Sequence, residues 1–132
     1  GSVSTGILMT GPEFPRTDER GLGRRHRIGY AIGIGSGGIA DGTILRHGVE
    51  AVTCITRNLA AGVNVGEFVF VPRAEDAAAD DGYLLGTAYH RGADRSELRV
   101  LDAETLADVA IVALPGVVPA GFHGNWLPST AD

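Results

Sequence analysis

Short apolar runs recur along this chain at near-regular spacing, and each is stopped by a glycine, a proline or an acidic turn. That rhythm limits the fold more than any other feature. Short strands with frequent turns build sandwiches, barrels and propellers, whereas helical proteins need longer runs with an apolar stripe. Arg27 to Ile34 alternates around Tyr30 and Ile32 and predicts a strand that ends at Gly35-Ser36-Gly37-Gly38. Thr43 to His47 and Val49 to Arg57 predict two more, separated by Gly48. Phe68 to Pro72 is a compact apolar strand stopped by Pro72, because proline cannot donate to a ladder. Asp76 to Gly82 predicts a loop and Tyr83 to Tyr89 a further strand. Glu97 to Leu114 predicts a hairpin that turns at the Asp-led segment Asp102-Ala103-Glu104-Thr105-Leu106. Val3 to Thr10 reads as a short strand.

Composition agrees with an all-β chain. There are 20 glycines against 4 Phe, 3 Tyr and 1 Trp, so the core is expected to be aliphatic and the turns many. At 132 residues the chain is the size of one domain, residues 1–132, with no internal boundary and no strict repeat. The Gly35 to Gly42 stretch reads as a loop rather than a linker.

Several function classes drop out. The net charge is −5, and the only basic cluster is Arg24-Arg25-His26-Arg27, so no nucleic-acid-binding stripe is present. A single cysteine, Cys54, excludes an internal disulfide; its alternating context predicts half-buried strand filler. No apolar run is long enough to span a membrane as a helix, and cytoplasmic residence is the default expectation. No G-x-S-x-G elbow marks a hydrolase, and Gly33 to Gly38 lacks the lysine of a phosphate-binding loop.

Four histidines remain. His26 lies among arginines, and His47 and His90 sit beside Arg46 and Arg91, which predicts solvated or turn positions. His123 lies in Gly121-Phe122-His123-Gly124, where the glycines permit close approach and Phe122 and Trp126 supply an apolar wall. On spacing alone it fits a satisfied core histidine as well as a metal ligand. Glu13 and Glu67 each stand alone at a strand start. They fit surface carboxylates or partners of metal-bound imidazoles.

The ordered series narrows this. Glu13-Phe14-Pro15-Arg16, Gly29-Tyr30-Ala31, Gly66 to Arg73, Asp80 to Leu85, Ser96 to Ala103 and Gly121 to Gly124 together resemble the C-terminal part of carotenoid cleavage oxygenases. No single motif is specific; the six in order are. The resemblance runs from about Glu13 to Trp126, with Phe68 where the family usually has proline. It implies the terminal blades of a seven-bladed β-propeller, incomplete in this chain. It also implies a non-haem Fe(II) site of four histidines, with three glutamates bonded to ligand imidazoles. His123 matches the last iron ligand, and Glu13 and Glu67 match two of the glutamates. The other three histidines are expected outside this chain, so Fe(II) would bind only where the four-histidine site is assembled. The implied activity is cleavage by dioxygen of a conjugated C=C bond in an apocarotenoid or stilbene-like substrate, with the chain inactive on its own. The alternative is a non-catalytic β-rich module or split subunit that self-associates or joins the missing propeller portion.

Overall fold

The computed structural model describes residues 1–3, 6–7, 11–34, 40–119, 121 and 123–129. Eight strands follow in order. They are β1 (Pro12–Arg16), β2 (Ile28–Ile34), β3 (Ala40–Gly48), β4 (Thr53–Asn58), β5 (Val63–Pro72), β6 (Gly82–His90), β7 (Arg95–Asp102) and β8 (Asp108–Ala113). A single 3-10 turn, Glu19–Gly21, is the only helical element among the described residues. The strands form two four-stranded antiparallel meanders, β1-β2-β3-β4 and β5-β6-β7-β8.

Alternation explains the packing. Tyr30, Ile32 and Ile44 from the first sheet meet Val63, Val65, Phe68, Phe70, Leu84 and Leu101 from the second, and Leu106 from the β7–β8 turn, in one buried cluster. Each such side chain contributes roughly 1.5–3 kcal/mol by leaving water. The ring of Tyr30 stacks on that of Phe70, with centroids 5.9 Å apart and planes 11° apart. The first strand of the second sheet, β5, packs across β1, β2 and β3. Polar clamps add to this seam. Arg20, held by the buried Asp18, donates to the carbonyls of Glu75 and Ala77, and Arg57 donates to the Leu106 carbonyl at 2.7 Å.

The predicted hairpin is β7–β8. Asp102 Oδ1 accepts from the Glu104 and Thr105 amides and from the Thr105 hydroxyl at 2.9–3.1 Å, so the leading aspartate itself closes the turn. Other expectations need correcting. β5 begins at Val63 rather than Phe68, and Val49 to Val52 is turn rather than strand. Cys54 is exposed, because β4 is an edge strand with hardly any cover on either face. His47 is half-buried: its ring lies over Gly29, where an added Cβ would sit 2.4 Å from Nε2. His90 lies 3.0 Å from the buried Glu97, at ion-pair distance. Neither histidine is freely solvated. Most of the run Val3 to Thr10, residues 35–39 of the glycine-rich loop, and Phe122 lie outside the described residues.

Candidate metal centre

The first strands of the two sheets, β1 and β5, share one irregularity. Between Glu13 and Arg16, β1 advances three residues while β2 advances two, from Ile32 to Tyr30. Between Val65 and Phe68, β5 advances three while β6 advances two, from Ala88 to Gly86. Each strand thus carries one extra residue, a β-bulge of the kind that re-aims side chains beside functional sites. Glu13 begins the first bulge and Glu67 lies inside the second. Phe14, in the first, takes φ 51°, a left-handed conformation that costs a non-glycine residue about 1–2 kcal/mol. Its ring meets the His123 ring edge-on, with centroids 5.4 Å apart.

After β8 the chain turns back across the second sheet. Buried Ser96 holds it there, accepting from the Leu114 amide through its carbonyl and from the Val118 amide through its hydroxyl. This return carries His123 to Glu67, 56 residues earlier in the chain. His123 Nδ1 lies 3.2 Å from Glu67 Oε1, and the Gly124 amide donates to Oε2 at 2.8 Å. Arg16 completes the cluster, donating from Nε and Nη2 to the two oxygens of Glu67 at 2.8 Å each.

The Glu67 side chain is only 4 % exposed. Burial works to raise its pKa, but the Arg16 fork, the Gly124 amide and His123 more than offset that and hold it below the usual carboxylate range. An ionised carboxylate only accepts, so the proton of this contact belongs to His123 Nδ1. In the neutral ring Nε2 then carries the free lone pair, on a side chain that is 72 % exposed. A cavity of about 390 Å³ opens beside it, lined by Glu67, Val69, Leu85, Leu98, His123 and Trp126. A larger one, about 450 Å³, lies at Arg27, Arg46 and Asp102 and shares no residue with the first.

Glu13 is placed differently. It is exposed and makes no hydrogen bond or ion pair among the described residues. His26, His47 and His90 stay apart from the cluster, and no group of three or more His, Cys, Asp or Glu fit to hold a metal occurs among the described residues. Sequence reasoning assigned no role to Arg16 or Ser96. A lone arginine at a strand end and a serine opening a strand carry no local signature.

Residues 2–128 match the family model described as retinal pigment epithelial membrane protein. The chain belongs to the carotenoid cleavage oxygenase family. It is 43% identical over 124 residues to a carotenoid cleavage oxygenase of Mycobacterium tuberculosis, covering 89% of this chain and 25% of that protein. Apocarotenoid-15,15'-oxygenase of Synechocystis is 36% identical over 118 residues, covering 86% of this chain and 24% of the relative. Among solved structures, cobalt-substituted Synechocystis apocarotenoid oxygenase superposes with a TM-score of 0.84 at 32% identity, over 94% of this chain and 27% of that one. Lignostilbene dioxygenase of Pseudomonas brassicacearum gives a TM-score of 0.83 at 26% identity, over 92% and 28%. The chain therefore spans about a quarter of the length of these relatives. Its two sheets are two blades of the family's β-propeller.

Proposed function

We propose that this chain supplies one iron ligand, His123, to a non-haem Fe(II) dioxygenase that cleaves a conjugated C=C bond. Glu67 fixes the ligand's ring, and Glu13 is placed to do the same for an imidazole from elsewhere in the complete propeller. One observation carries this reading: Glu67 occupies Nδ1 of His123 and leaves Nε2 open on an exposed ring. A carboxylate that accepts the remote imidazole N–H sets the tautomer and makes the other nitrogen a better donor. The existence of a cobalt-substituted relative of the same fold supports a metal here.

The residues present fit one quarter of a four-imidazole site and no more. His123 would hold the iron through Nε2. Held by imidazoles, ferrous iron would supply the activation of dioxygen for attack on an electron-rich alkene. In the overall reaction the C=C bond and the O–O bond break and each carbon leaves as a carbonyl, so no further oxidant is needed. The apolar lining beside His123, with Val69, Leu85, Leu98 and Trp126, suits a conjugated hydrocarbon chain or an aryl alkene. The names of the relatives support an apocarotenoid or stilbene-like substrate for the whole enzyme.

The test compares metal content and alkene cleavage of the 132-residue chain with those of a completed propeller. The chain alone is expected to hold no stoichiometric iron, whereas the completed propeller binds iron and turns over. His123→Ala in the completed propeller should lower iron affinity by more than about a hundredfold, beyond the 10–100-fold cost of losing an outer partner. A His123→Ala propeller with full iron and activity removes the ligand role. A second reading, a β-rich module that joins another chain without catalysis, draws on the half-exposed Val109, Ile111 and Val112 of β8. It is favoured if the completed propeller binds neither iron nor dioxygen.

A further inference from the structure

We infer that Arg16 is the positioning residue of this centre: its guanidinium fixes the plane of the Glu67 carboxylate and so decides which nitrogen of His123 is free. The inference rests on the reading of His123 as a ligand through Nε2.

The argument starts from the four lone-pair sites of a carboxylate. Oε1 of Glu67 faces Arg16 Nε at 2.8 Å and His123 Nδ1 at 3.2 Å. Oε2 faces Arg16 Nη2 and the Gly124 amide, both at 2.8 Å. Each oxygen accepts twice, so the carboxylate is saturated. Two of the four donors belong to one rigid plane. A bidentate guanidinium permits only one orientation of its partner, and the remaining lone pairs then point at the returning chain, one to the imidazole and one to the backbone.

Arg16 is itself held. Nη1 donates to Glu19 at 2.6 Å, and Nη2 also donates to the Gly124 carbonyl. The residue after the ligand is therefore gripped at both ends of its backbone, by Glu67 at the amide and by Arg16 at the carbonyl. Arg16 is 16 % exposed and Glu67 4 %, so water competes little with the fork between them. Arg16 also closes the same β1 bulge that Glu13 opens. One irregularity in one strand thus sets Glu13 directly and Glu67 through the fork. A lysine at this place would keep the charge but offer a single point donor in place of the planar pair.

The experiment reads the ring directly. Ring ¹⁵N shifts of His123 report its tautomer, amide exchange at Gly124 reports the grip on the returning chain, and exchange at Leu84 and Leu101 reports the core. In the wild-type chain His123 is expected as the Nδ1–H tautomer with Gly124 protected. In Arg16→Lys, which keeps the ion pair, core exchange should stay unchanged while the ring shifts toward a mixture containing Nε2–H. Arg16→Gln, which leaves Glu67 buried without its cation, should shift the ring and speed core exchange as well. Gly124 should then exchange roughly tenfold faster, the effect of losing a charge-assisted contact. A purely structural loss would move core and site together and leave the tautomer of the folded fraction alone. Arg16→Lys therefore decides, since it keeps the charge and the apolar stem. Variants that keep the core, the Nδ1–H ring and the Gly124 protection overturn the role of Arg16 while leaving His123 as a ligand. A wild-type ring protonated at Nε2 overturns the ligand reading itself, and the inference with it.

Discussion

Each blade carries a one-residue bulge in its first strand, yet the glutamates at the two bulges meet opposite fates. In β5, Glu67 is buried beneath a returning chain segment and takes four donors. In β1, Glu13 stands in solvent with no partner among the described residues. Both bulges add one residue, but Glu13 opens the first, beside the left-handed Phe14, while Glu67 lies inside the second; what also differs is what arrives to meet the carboxylate. A bulge therefore supplies a direction, and the chemistry depends on long-range closure. The outer strands sharpen the point. β8 is tied to its neighbour β7 by Arg99 to Asp108 at 3.1 Å, whereas the side-chain bond from β3 to β4 among the described residues is Thr43 to Asn58, and β4 is held instead across the seam, by Arg57 to Asp108.

The largest expected effect breaks this asymmetry at its centre. Glu67→Ala removes the acceptor of a largely desolvated ion pair and releases His123 and Gly124 together. Losing one partner of a buried pair costs about 3–5 kcal/mol, and Glu19 remains to take part of Arg16, so about 3 kcal/mol is expected. Glu13→Ala should change stability by less than about 0.5 kcal/mol, the range of free surface positions. Urea unfolding of both variants measures the gap. Equal effects would mean that Glu13 has partners comparable to those of Glu67.

A second pair tests how rigidly each blade is packed. A Cβ on Gly82 would lie 2.3 Å from the Val71 carbonyl oxygen and 2.7 Å from the Phe70 ring, and the backbone oxygen cannot move aside. A Cβ on Gly29 would lie 2.4 Å from His47 Nε2, the end of a side chain that can swing. Gly82→Ala should therefore cost about 2–3 kcal/mol and Gly29→Ala about 1 kcal/mol, by denaturant unfolding. A reversed order would show the His47 ring to be the more rigid neighbour.

The fold was legible where local chemistry decides the structure. The β7–β8 turn follows from one aspartate that bonds its own downstream amides, and β2 and β6 follow from simple alternation. The start of β5 was hidden because the bulge at Gly66 and Glu67 breaks the alternation, so only the regular half from Phe68 reads as strand. Cys54, His47 and His90 were misplaced for a related reason. Their exposure depends on whether a strand is an edge and on which neighbour faces it across the sheet, neither of which a local window contains. The site divides the same way. Glu67 and His123 are 56 residues apart, and no spacing rule connects them; only the order of motifs pointed to both. Arg16 stood inside a quoted motif, but its fork is visible only once β1 and β5 lie side by side.

The smallest expected effect concerns Glu97 on β7, a second buried carboxylate of the second blade. Burial works to raise its pKa, while His90 and Arg99 more than offset this and hold it below the usual carboxylate range. Arg99 donates from Nε at 2.6 Å, and His90 Nε2 lies 3.0 Å away. A pKa depressed in the folded state means that the unfolded chain binds its proton at higher pH than the native one. The stabilisation is therefore complete above the unfolded value, about 4.3, and fades as pH falls through the folded value. Glu67, Asp18 and Asp102 are depressed as well, so acid lability of the wild type alone does not isolate Glu97. The difference between wild type and Glu97→Gln does. It should narrow steadily as pH falls below about 5, followed by urea midpoints at each pH. A gap that widens in acid would mean that the Glu97 proton is bound more tightly in the folded chain, and that burial rather than Arg99 and His90 governs this blade.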